Sequence, residues 1–133
     1  MEYLLDTNTC IYIIKKKPVE VFEKLKTLKP GTVSISTITL AEMYFGVAKS
    51  TNPSKNRNAL EKFLIPLNIV EFDYSATISY GEIRAELEKK GTPIGPMDTL
   101  IAAHAKSLDF TLVTNNTKEF NRIIGLKLEN WVK

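Results

Sequence analysis

The sequence predicts an α/β layer fold with a largely parallel sheet. Short apolar segments of strand character alternate along the chain with longer segments in which apolar residues recur at helical spacing, and this alternation is typical of a parallel sheet covered by helices. The chain of 133 residues, 44% hydrophobic and 25% charged, is of ordinary domain size and can bury a core. Because no internal repeat, low-complexity tract or linker interrupts it, residues 1–133 are expected to form a single domain.

Five short segments are predicted strands, because each is a run of apolar or β-branched residues bounded by turn or capping residues. In chain order they are Glu2–Leu5, Val33–Ser36, Ile69–Phe72, Thr111–Thr114 and Leu126–Leu128. Longer helical segments separate most of these strands, and such connections join parallel neighbours.

The intervening segments are predicted helices, since capping residues or helix breakers mark their ends. They run from Thr7 to about Lys16, from Pro18 to the Pro30-Gly31 stop, from Ile38 to about Lys49, after the polar break Thr51–Ser54, from Ser75 to Lys90, from about Met97 to Ser107, and as a short turn near Glu119–Ile123. Thr37 is the expected cap of the third helix. The expected buried side of the fifth helix is Ile78, Ile83 and Leu87.

Composition excludes several classes of protein. No apolar run is long enough to span a membrane and no basic-then-apolar leader opens the chain, so a cytoplasmic protein is expected. The single cysteine, Cys10, permits no intrachain disulfide or cysteine zinc cluster and is expected in the core. The single histidine, His104, argues against a histidine zinc hydrolase and is expected to be packed or hydrogen-bonded. The net charge of +3 leans weakly toward a polyanionic partner.

Three acidic residues stand alone in otherwise apolar stretches. They are Asp6 within residues 3–14, Glu42 within residues 37–48 and Asp98 within residues 92–105. At the overall charged fraction of 25%, stretches of this combined length would hold about nine or ten charged residues, yet they hold only these three carboxylates. Because an ionised carboxylate among apolar residues is costly unless its charge is offset, the three acids are expected to share a metal ion.

The predicted elements bring these acids to one edge of the sheet. Asp6 ends the first strand, Glu42 lies in the helix after the second strand, and Asp98 opens a helix after a Pro/Gly loop. Open α/β sheets bind ligands beyond the carboxyl ends of their strands, and Asn116, just past a late strand, would reach the same edge. Oxygen ligands favour Mg²⁺ or Mn²⁺, and such an ion suits phosphodiester hydrolysis because it activates water and stabilises charge on the phosphate.

Ordinary structural roles exist for the same residues. Asp6 and Asp98 both lie where a helix begins, and taken singly each is best read as a capping or first-turn acid. Glu42 has no such reading, because its predicted helix is apolar almost all round. The run Lys15-Lys16-Lys17 is usually a solvated helix end, yet its position near the proposed site would let it meet phosphates.

A family resemblance rests on several short motifs in a fixed order. They are Leu4-Leu5-Asp6-Thr7-Asn8, Ser36-Thr37-Ile38-Thr39-Leu40-Ala41-Glu42 with Gly46, Ile94-Gly95-Pro96-Met97-Asp98-Thr99-Leu100-Ile101-Ala102-Ala103-His104-Ala105, Leu112-Val113-Thr114-Asn115-Asn116, Glu119-Phe120, Gly125-Leu126 and Glu129-Asn130-Trp131. Each motif is weak alone, but together they span the chain. With them the sequence resembles the PIN-domain ribonucleases, and specifically the VapC-type toxins of bacterial and archaeal toxin–antitoxin pairs.

The resemblance implies a three-layer α/β/α fold and a metal-dependent endoribonuclease that acts on structured RNA, often tRNA. It carries the family's acids over to Asp6, Glu42 and Asp98, with Mg²⁺ or Mn²⁺ as the ion. The family commonly has a fourth acid where this chain has Asn116, a departure that bears on a second ion and leaves a one-metal mechanism intact. Glu119 could then lend charge from nearby. The resemblance also implies a homodimer and a cognate VapB-type antitoxin that covers the site.

Finer roles follow from the same resemblance. Thr7, Asn8 and Thr114 are expected to orient the acids. Weaker candidates for RNA contact are the basic residues Lys15, Lys16, Lys49, Lys55 and Arg57.

Two rival functions are weighed against this one. An aspartyl-phosphate enzyme would want a second Asp two residues after Asp6, where this chain has Asn8, and a receiver domain would want an adjacent pair of acids after the first strand. A non-catalytic nucleic-acid or protein-binding module would treat the acids as caps and Asn116 as the mark of a decayed site. The complete trio of acids favours the nuclease.

Overall fold

The sheet contains five parallel strands in this computed structural model, which describes residues 1–133. The strands are β1 Tyr3–Leu5, β2 Val33–Ser36, β3 Asn68–Val70, β4 Thr111–Val113 and β5 Leu128–Glu129. The helices are α1 Thr7–Lys15, α2 Val19–Lys26, α3 Thr37–Lys49, α4 Pro53–Leu64, α5 Tyr74–Lys89, α6 Pro96–Leu108 and α7 Thr117–Phe120. The strand order β3-β2-β1-β4-β5 places β1 at the centre, so the residue after β1 lies in the middle of the sheet's carboxyl edge.

Alternate residues of β1 face two separate apolar cores, as the pleat of a strand requires. Tyr3 and Leu5 belong to a core that also holds residues of α1, α2, α3 and α4, whereas Leu4 belongs to one built with α5, α6 and α7. Helices therefore cover both faces of the sheet. This arrangement confirms the predicted three-layer α/β/α fold with a parallel central sheet.

Strand pairing explains where the observed strands differ from the predicted ones. Ser36 is the last residue of β2 and pairs with Val70, so the ladder ends there and β3 does not reach Phe72. At the opposite edge, β5 pairs with Leu112 and Val113 and therefore lies at Leu128–Glu129, later than the predicted 126–128. A strand ends where its neighbour can no longer supply hydrogen bonds.

The cap of α3 is Ser36, and the prediction that Thr37 caps this helix is wrong. Ser36 Oγ accepts a hydrogen bond of 3.0 Å from the backbone N–H of Ile38. Thr37 is the first residue of the helix, and its Oγ1 accepts a 3.2 Å hydrogen bond from the N–H of Phe72. The final strand residue thus serves also as the helix cap.

Two further helix predictions need correction. Ile78 is 51% exposed, while Ala76, Ile83 and Leu87 form the buried side of α5. At about 100° per residue, Ile78 lies nearly opposite Leu87 on the helix. The short helix α7 covers residues 117–120, earlier than the predicted turn at 119–123, because it starts directly after Asn116.

None of the helices is both long and apolar enough to cross a lipid bilayer.

Candidate active site

Asp6 stands at the centre of the carboxyl edge of the sheet. It directly follows β1, and its backbone N–H continues the ladder by donating to the carbonyl of Val113 at 3.1 Å. Its Oδ1 accepts a 2.8 Å hydrogen bond from the N–H of Thr9, so Asp6 is the N-cap of α1. The side chain is only 5% exposed. Its capping role leaves the second carboxylate oxygen available for other contacts.

Glu42 is brought to the same edge by helix α3. The hydroxyl of Thr7, the first residue of α1, donates a 2.7 Å hydrogen bond to Glu42 Oε1. The predicted orienting role of Thr7 is therefore visible in the structure. Asn8 is exposed and makes no side-chain hydrogen bond to an acid, and Thr114 Oγ1 accepts from the N–H of Asn116 rather than contacting a carboxylate.

Asp98 is the acid whose pKa reflects the charges of the others. It lies in the first turn of α6, three residues after the N-cap Gly95, and is half-buried. Burial raises the pKa of its carboxyl group above the ordinary value, and the negative charges of Asp6, Glu119 and Glu42 raise it further, in that order. Because Coulombic effects weaken with distance, the carboxylates of Asp6, Glu42 and Glu119 lie in the electrostatic surroundings of Asp98.

Asn116 joins the site through a partner that the sequence indicated only weakly. Its Nδ2 donates a 2.9 Å hydrogen bond to Oε2 of Glu119. Since Glu119 contributes to the raised pKa of Asp98, a fourth carboxylate lies at the site although residue 116 is an amide. The signal in the sequence was the spacing of three residues, which places both side chains on one side of the short helix α7.

None of these four acids forms an ion pair with a basic side chain of the protein. The ion pairs of the chain join other residues, and none includes one of the four clustered acids. The carboxylates instead accept hydrogen bonds from neutral donors, namely the Thr9 N–H, the Thr7 hydroxyl and the Asn116 amide. Unneutralised carboxylates in a half-buried cluster are the donor set that a hard divalent cation requires.

The side chains are not yet arranged around a single point. No three acidic, histidine or cysteine side chains are close enough together to contact one ion. Mutual repulsion between like charges keeps carboxylates apart when no cation lies between them. The donor set nevertheless fits a divalent ion by its chemistry, because carboxylate oxygens are the ligands that Mg²⁺ and Mn²⁺ prefer.

A groove extends from the acidic cluster between α1, α3 and α4. It encloses about 290 Å³ and combines an apolar floor with a few polar groups at its margin. Its lining residues are Thr7, Ile11, Ile14, Lys15, Glu42, Met43, Gly46, Val47, Asn56, Ala59 and Leu60. The groove gives a ligand access to Glu42 from the side of α1 that carries the basic run.

The basic residues named from the sequence differ in their surroundings. Lys15 lines the groove with Glu42 and forms no ion pair. Lys16 lies 4.9 Å from the ring centre of Phe22, and similar contacts hold Lys49 over Phe45 and Arg57 over Tyr44. Lys55 is exposed in the first turn of α4. Lys15 is therefore the basic side chain best placed to meet a ligand at the acids.

The only cysteine and the only histidine of the chain lie in the core, as the sequence predicts. Cys10 is fully buried, and burial together with the charge of Asp6 raises the pKa of its thiol well above the ordinary value, which keeps it unreactive. His104 is also fully buried and hydrogen-bonded through Nδ1 to Ser36 Oγ at 2.8 Å. Burial lowers the pKa of His104, against the opposing effects of Asp73 and the Glu71 backbone.

Comparison with known proteins identifies the family. Residues 3–126 match the PIN domain. The chain is 50% identical over 134 residues to ribonuclease VapC2 of Rickettsia felis, covering the full length of both proteins, and 45% identical to the tRNA(fMet)-specific endonuclease VapC of Salmonella typhimurium, covering 98% of each.

Solved structures agree with these sequence matches. The structure of VapBC2 from Rickettsia felis bound to a promoter DNA fragment contains a chain that superposes with a TM-score of 0.94 at 48% identity, covering 99% of this chain and 100% of that one. The DNA-bound VapBC of Salmonella typhimurium gives a TM-score of 0.93 at 44% identity, covering 99% of each chain. Fold, clustered acids and full-length similarity together show that this chain belongs to the PIN-domain family, among the VapC ribonucleases.

Proposed function

We propose that this protein is the toxin of a type II toxin–antitoxin pair and acts as a metal-dependent endoribonuclease on structured RNA, with tRNA as the substrate class. The observation that carries the proposal is the set of carboxylates at the carboxyl edge of the sheet, which accept hydrogen bonds from neutral donors and form no ion pairs. A relative that is 45% identical over nearly its whole length is a tRNA(fMet)-specific endonuclease, which supports tRNA as the substrate class.

Asp6, Glu42 and Asp98 would hold Mg²⁺ or Mn²⁺, because their oxygens are hard ligands and no protein cation competes for them. A bound ion of this kind supplies an activated water molecule and offsets charge on the phosphodiester during hydrolysis. Glu119 adds a fourth negative charge, held in place by Asn116. This charge strengthens the attraction for a divalent ion.

The protein's own contribution is to fix the acids before the ion and the RNA arrive. The backbone N–H of Thr9 holds Asp6, the hydroxyl of Thr7 holds Glu42, and the N-terminal turn of α6 positions Asp98. Ligands fixed by such outer contacts lose less conformational freedom on binding and bind metal more tightly. Asn116 serves the site by orienting Glu119 and supplies no charge of its own.

RNA is expected to approach the acids along the groove between α1, α3 and α4. Lys15 lines this groove beside Glu42 without an ion pair and is free to contact a phosphate. Four further basic residues lie on, or directly at the end of, the helices that border the groove, and they are weaker candidates for phosphate contact: Lys16, Lys49, Lys55 and Arg57. Phosphate contacts by such residues raise affinity without specifying sequence.

The proposed regulatory partner is a cognate VapB-type antitoxin. The neighbours from Rickettsia felis, Salmonella typhimurium and Haemophilus influenzae are structures of VapBC assemblies. An antitoxin that covered the carboxylates would keep both ion and RNA from the site. Because the substrate class is tRNA, the proposed location of the protein is the cytoplasm.

A homodimer is the proposed state of the toxin. Several large apolar side chains are exposed on its surface, including Phe45 at 65%, Tyr74 at 80% and Ile78 at 51%. A second copy of the chain could bury side chains of this kind. Light scattering of the purified chain is expected to give twice the mass of 15.0 kDa, and a monomer at micromolar concentration would contradict this part of the proposal.

The decisive experiment combines metal control with a matched substitution. Purified protein is incubated with folded tRNAs in Mg²⁺ or Mn²⁺, in parallel with EDTA and with Asp98→Asn, which keeps the shape of the side chain but removes its charge. Discrete cleavage that is abolished by both EDTA and Asp98→Asn supports the proposal. Cleavage insensitive to both would exclude the metal mechanism, and no cleavage of any RNA would favour the non-catalytic binding module.

A further inference from the structure

His104 and Ser36 form a buried polar contact between the two helices that carry acids. His104 lies on α6, six residues beyond Asp98, and Ser36 caps α3, six residues before Glu42. The Nδ1 atom of His104 is 2.8 Å from Ser36 Oγ, and both side chains are completely buried. Ser36 donates its hydroxyl proton to Nδ1 or accepts from Nδ1–H, and either tautomer forms a hydrogen bond between the helices.

The surroundings of His104 hold its ring in place. Phe72 packs against the imidazole with ring centres 5.3 Å apart in an edge-to-face arrangement. The backbone N–H of Phe72 in turn donates to Oγ1 of Thr37, the residue that follows Ser36. The imidazole is thus fixed between the start of α3 and the segment that follows β3, and it has little freedom to lose its contact with Ser36.

Packing alone does not explain a histidine at this position. Its Nε2 is buried without a hydrogen bond of ordinary geometry, although the Glu71 backbone interacts with the ring, and a buried polar atom so weakly paired is unfavourable for folding. An apolar residue of similar volume would fill the space without that cost. The short polar contact that His104 provides is the hydrogen bond to Ser36 Oγ, with a weaker one to the Glu71 backbone.

The His104–Ser36 hydrogen bond connects the two helices that carry Glu42 and Asp98. Glu42 on α3 and Asp98 on α6 carry like charges at the same edge of the sheet, so the two carboxylates repel each other. Each acid is about 9 Å along its helix from the His104–Ser36 contact, at a rise of about 1.5 Å per residue. A hydrogen bond at this distance resists a change in the angle between α3 and α6 and hence in the separation of the acids.

We propose that His104 is a positioning residue, whose hydrogen bond to Ser36 limits the relative movement of the two helices that carry Glu42 and Asp98 when a divalent ion binds. This inference rests on the proposed metal-dependent function. In this role His104 contacts neither the ion nor the RNA. Its loss should therefore lower metal affinity by more than a change in the overall stability of the fold would.

The test measures Mn²⁺ binding directly, by counting free Mn²⁺ with electron paramagnetic resonance, on variants shown by circular dichroism to be folded. His104→Phe removes the hydrogen bond and keeps a ring against Phe72, and it is expected to weaken Mn²⁺ binding about 10-fold, at the low end for residues that orient ligands. His104→Asn carries a polar atom where Nδ1 stands and is expected to restore most of the affinity. Ile101→Val, a buried change on the same helix, is expected to bind Mn²⁺ as the unchanged protein does.

A double-mutant cycle supplies the second measurement and covers the case in which His104→Phe alone fails to fold. Ser36→Ala keeps the imidazole but removes its partner and is expected to weaken Mn²⁺ binding at least as much. Adding His104→Phe or His104→Asn to Ser36→Ala is expected to cause no further loss, because the hydrogen bond is already absent.

Three results would overturn the positioning role: Mn²⁺ affinity unchanged in His104→Phe and in Ser36→Ala, additive losses in the double variant, or an equal loss in Ile101→Val. Mn²⁺ binding by the unchanged protein distinguishes failure of this inference from failure of the proposed function. If it binds Mn²⁺ and the variants match it, only the role of His104 is excluded. If it binds no Mn²⁺ at all, the metal-dependent function is excluded, and the inference with it.

Discussion

The hydroxyl of Thr7 donates a 2.7 Å hydrogen bond to Oε1 of Glu42, a residue 35 positions further along the chain. Thr7 directly follows Asp6, so one dipeptide supplies an acid to the site and orients a second one. The central position of β1 in the sheet makes this possible, because its carboxyl end adjoins the helices that follow both neighbouring strands.

Removal of this hydroxyl is expected to impair catalysis without loss of the fold. Thr7→Val keeps the shape of the side chain but leaves Glu42 without its donor, so the rate of tRNA cleavage and the affinity for Mn²⁺ should both fall about 10-fold. Thr7→Ser retains the hydroxyl and serves as the control, with activity close to that of the unchanged protein. Equal rates for the valine and serine variants would show that Thr7 does not orient Glu42.

The raised pKa of Asp98 makes a prediction about stability in the absence of metal. A carboxyl group with a higher pKa in the folded than in the unfolded state binds protons on folding, so its charge destabilises the fold above that range of pH. Asp98→Asn should therefore melt a few degrees higher than the unchanged protein at neutral pH in EDTA. This advantage should shrink as the pH falls through the raised pKa of Asp98 and vanish near the ordinary value of 3.8.

Melting curves in EDTA between about pH 8 and about pH 4 provide the measurement. Addition of Mn²⁺ should reverse the order at neutral pH, since the ion stabilises only the form that binds it. A lower melting temperature for Asp98→Asn in EDTA at neutral pH would mean that the carboxylate stabilises the metal-free fold, contrary to the repulsion inferred from its neighbours.

The sequence predicted the main elements of the fold and the three acids because both depend on local patterns of burial. Asp6, Glu42 and Asp98 stood out as single charges in apolar stretches, and the alternation of strands and helices directed all three to one edge of the sheet. The boundaries of β3 and β5 depended instead on pairing with β2 and β4. No local pattern contains that information.

The hydrogen bonds around the site depend on which partners the polar side chains meet in the folded chain. Ser36 and Thr37 are adjacent and chemically alike as caps, and the packing of Phe72 and His104 decides that Ser36 takes this role. The pairing of Asn116 with Glu119 likewise depends on where α7 begins. The local pattern of a single sequence leaves such choices undetermined, since each alternative satisfies the same local rules.

Glu119 is expected to act as the fourth acid of the site. Glu119→Gln removes one of the charges that raise the pKa of Asp98, so the pKa of Asp98 should fall and Mn²⁺ affinity should drop about 10-fold. Asn116→Ala leaves the carboxylate present but unrestrained and should have a smaller effect. Titration of Asp98 by nuclear magnetic resonance and Mn²⁺ binding provide the two readouts.

The matched control for this prediction is Glu2→Gln. Glu2 is exposed and precedes β1, at the opposite end of the strand from Asp6, and the substitution makes the same chemical change. It should alter neither the pKa of Asp98 nor metal affinity. A Glu119→Gln variant indistinguishable from Glu2→Gln would remove Glu119 from the site.

Lys15 is expected to contribute a phosphate contact to RNA binding. It lines the groove beside Glu42 and forms no ion pair, so its charge is available to a polyanion. Lys15→Ala should weaken tRNA binding and reduce the slope of log affinity against log salt by about 0.7 to 0.9, the contribution of one phosphate contact. Fluorescence anisotropy with labelled tRNA in the Asp98→Asn background measures binding without cleavage.

Lys29 provides the comparison that separates a local contact from net charge. It is exposed and precedes β2, at the amino end of the sheet and away from the acids. Lys29→Ala lowers the net charge by the same amount as Lys15→Ala but should leave the salt slope unchanged, because counterion release depends on the phosphates actually contacted. Equal slopes for the two variants would place the RNA outside the groove and make Lys15 an ordinary solvated side chain.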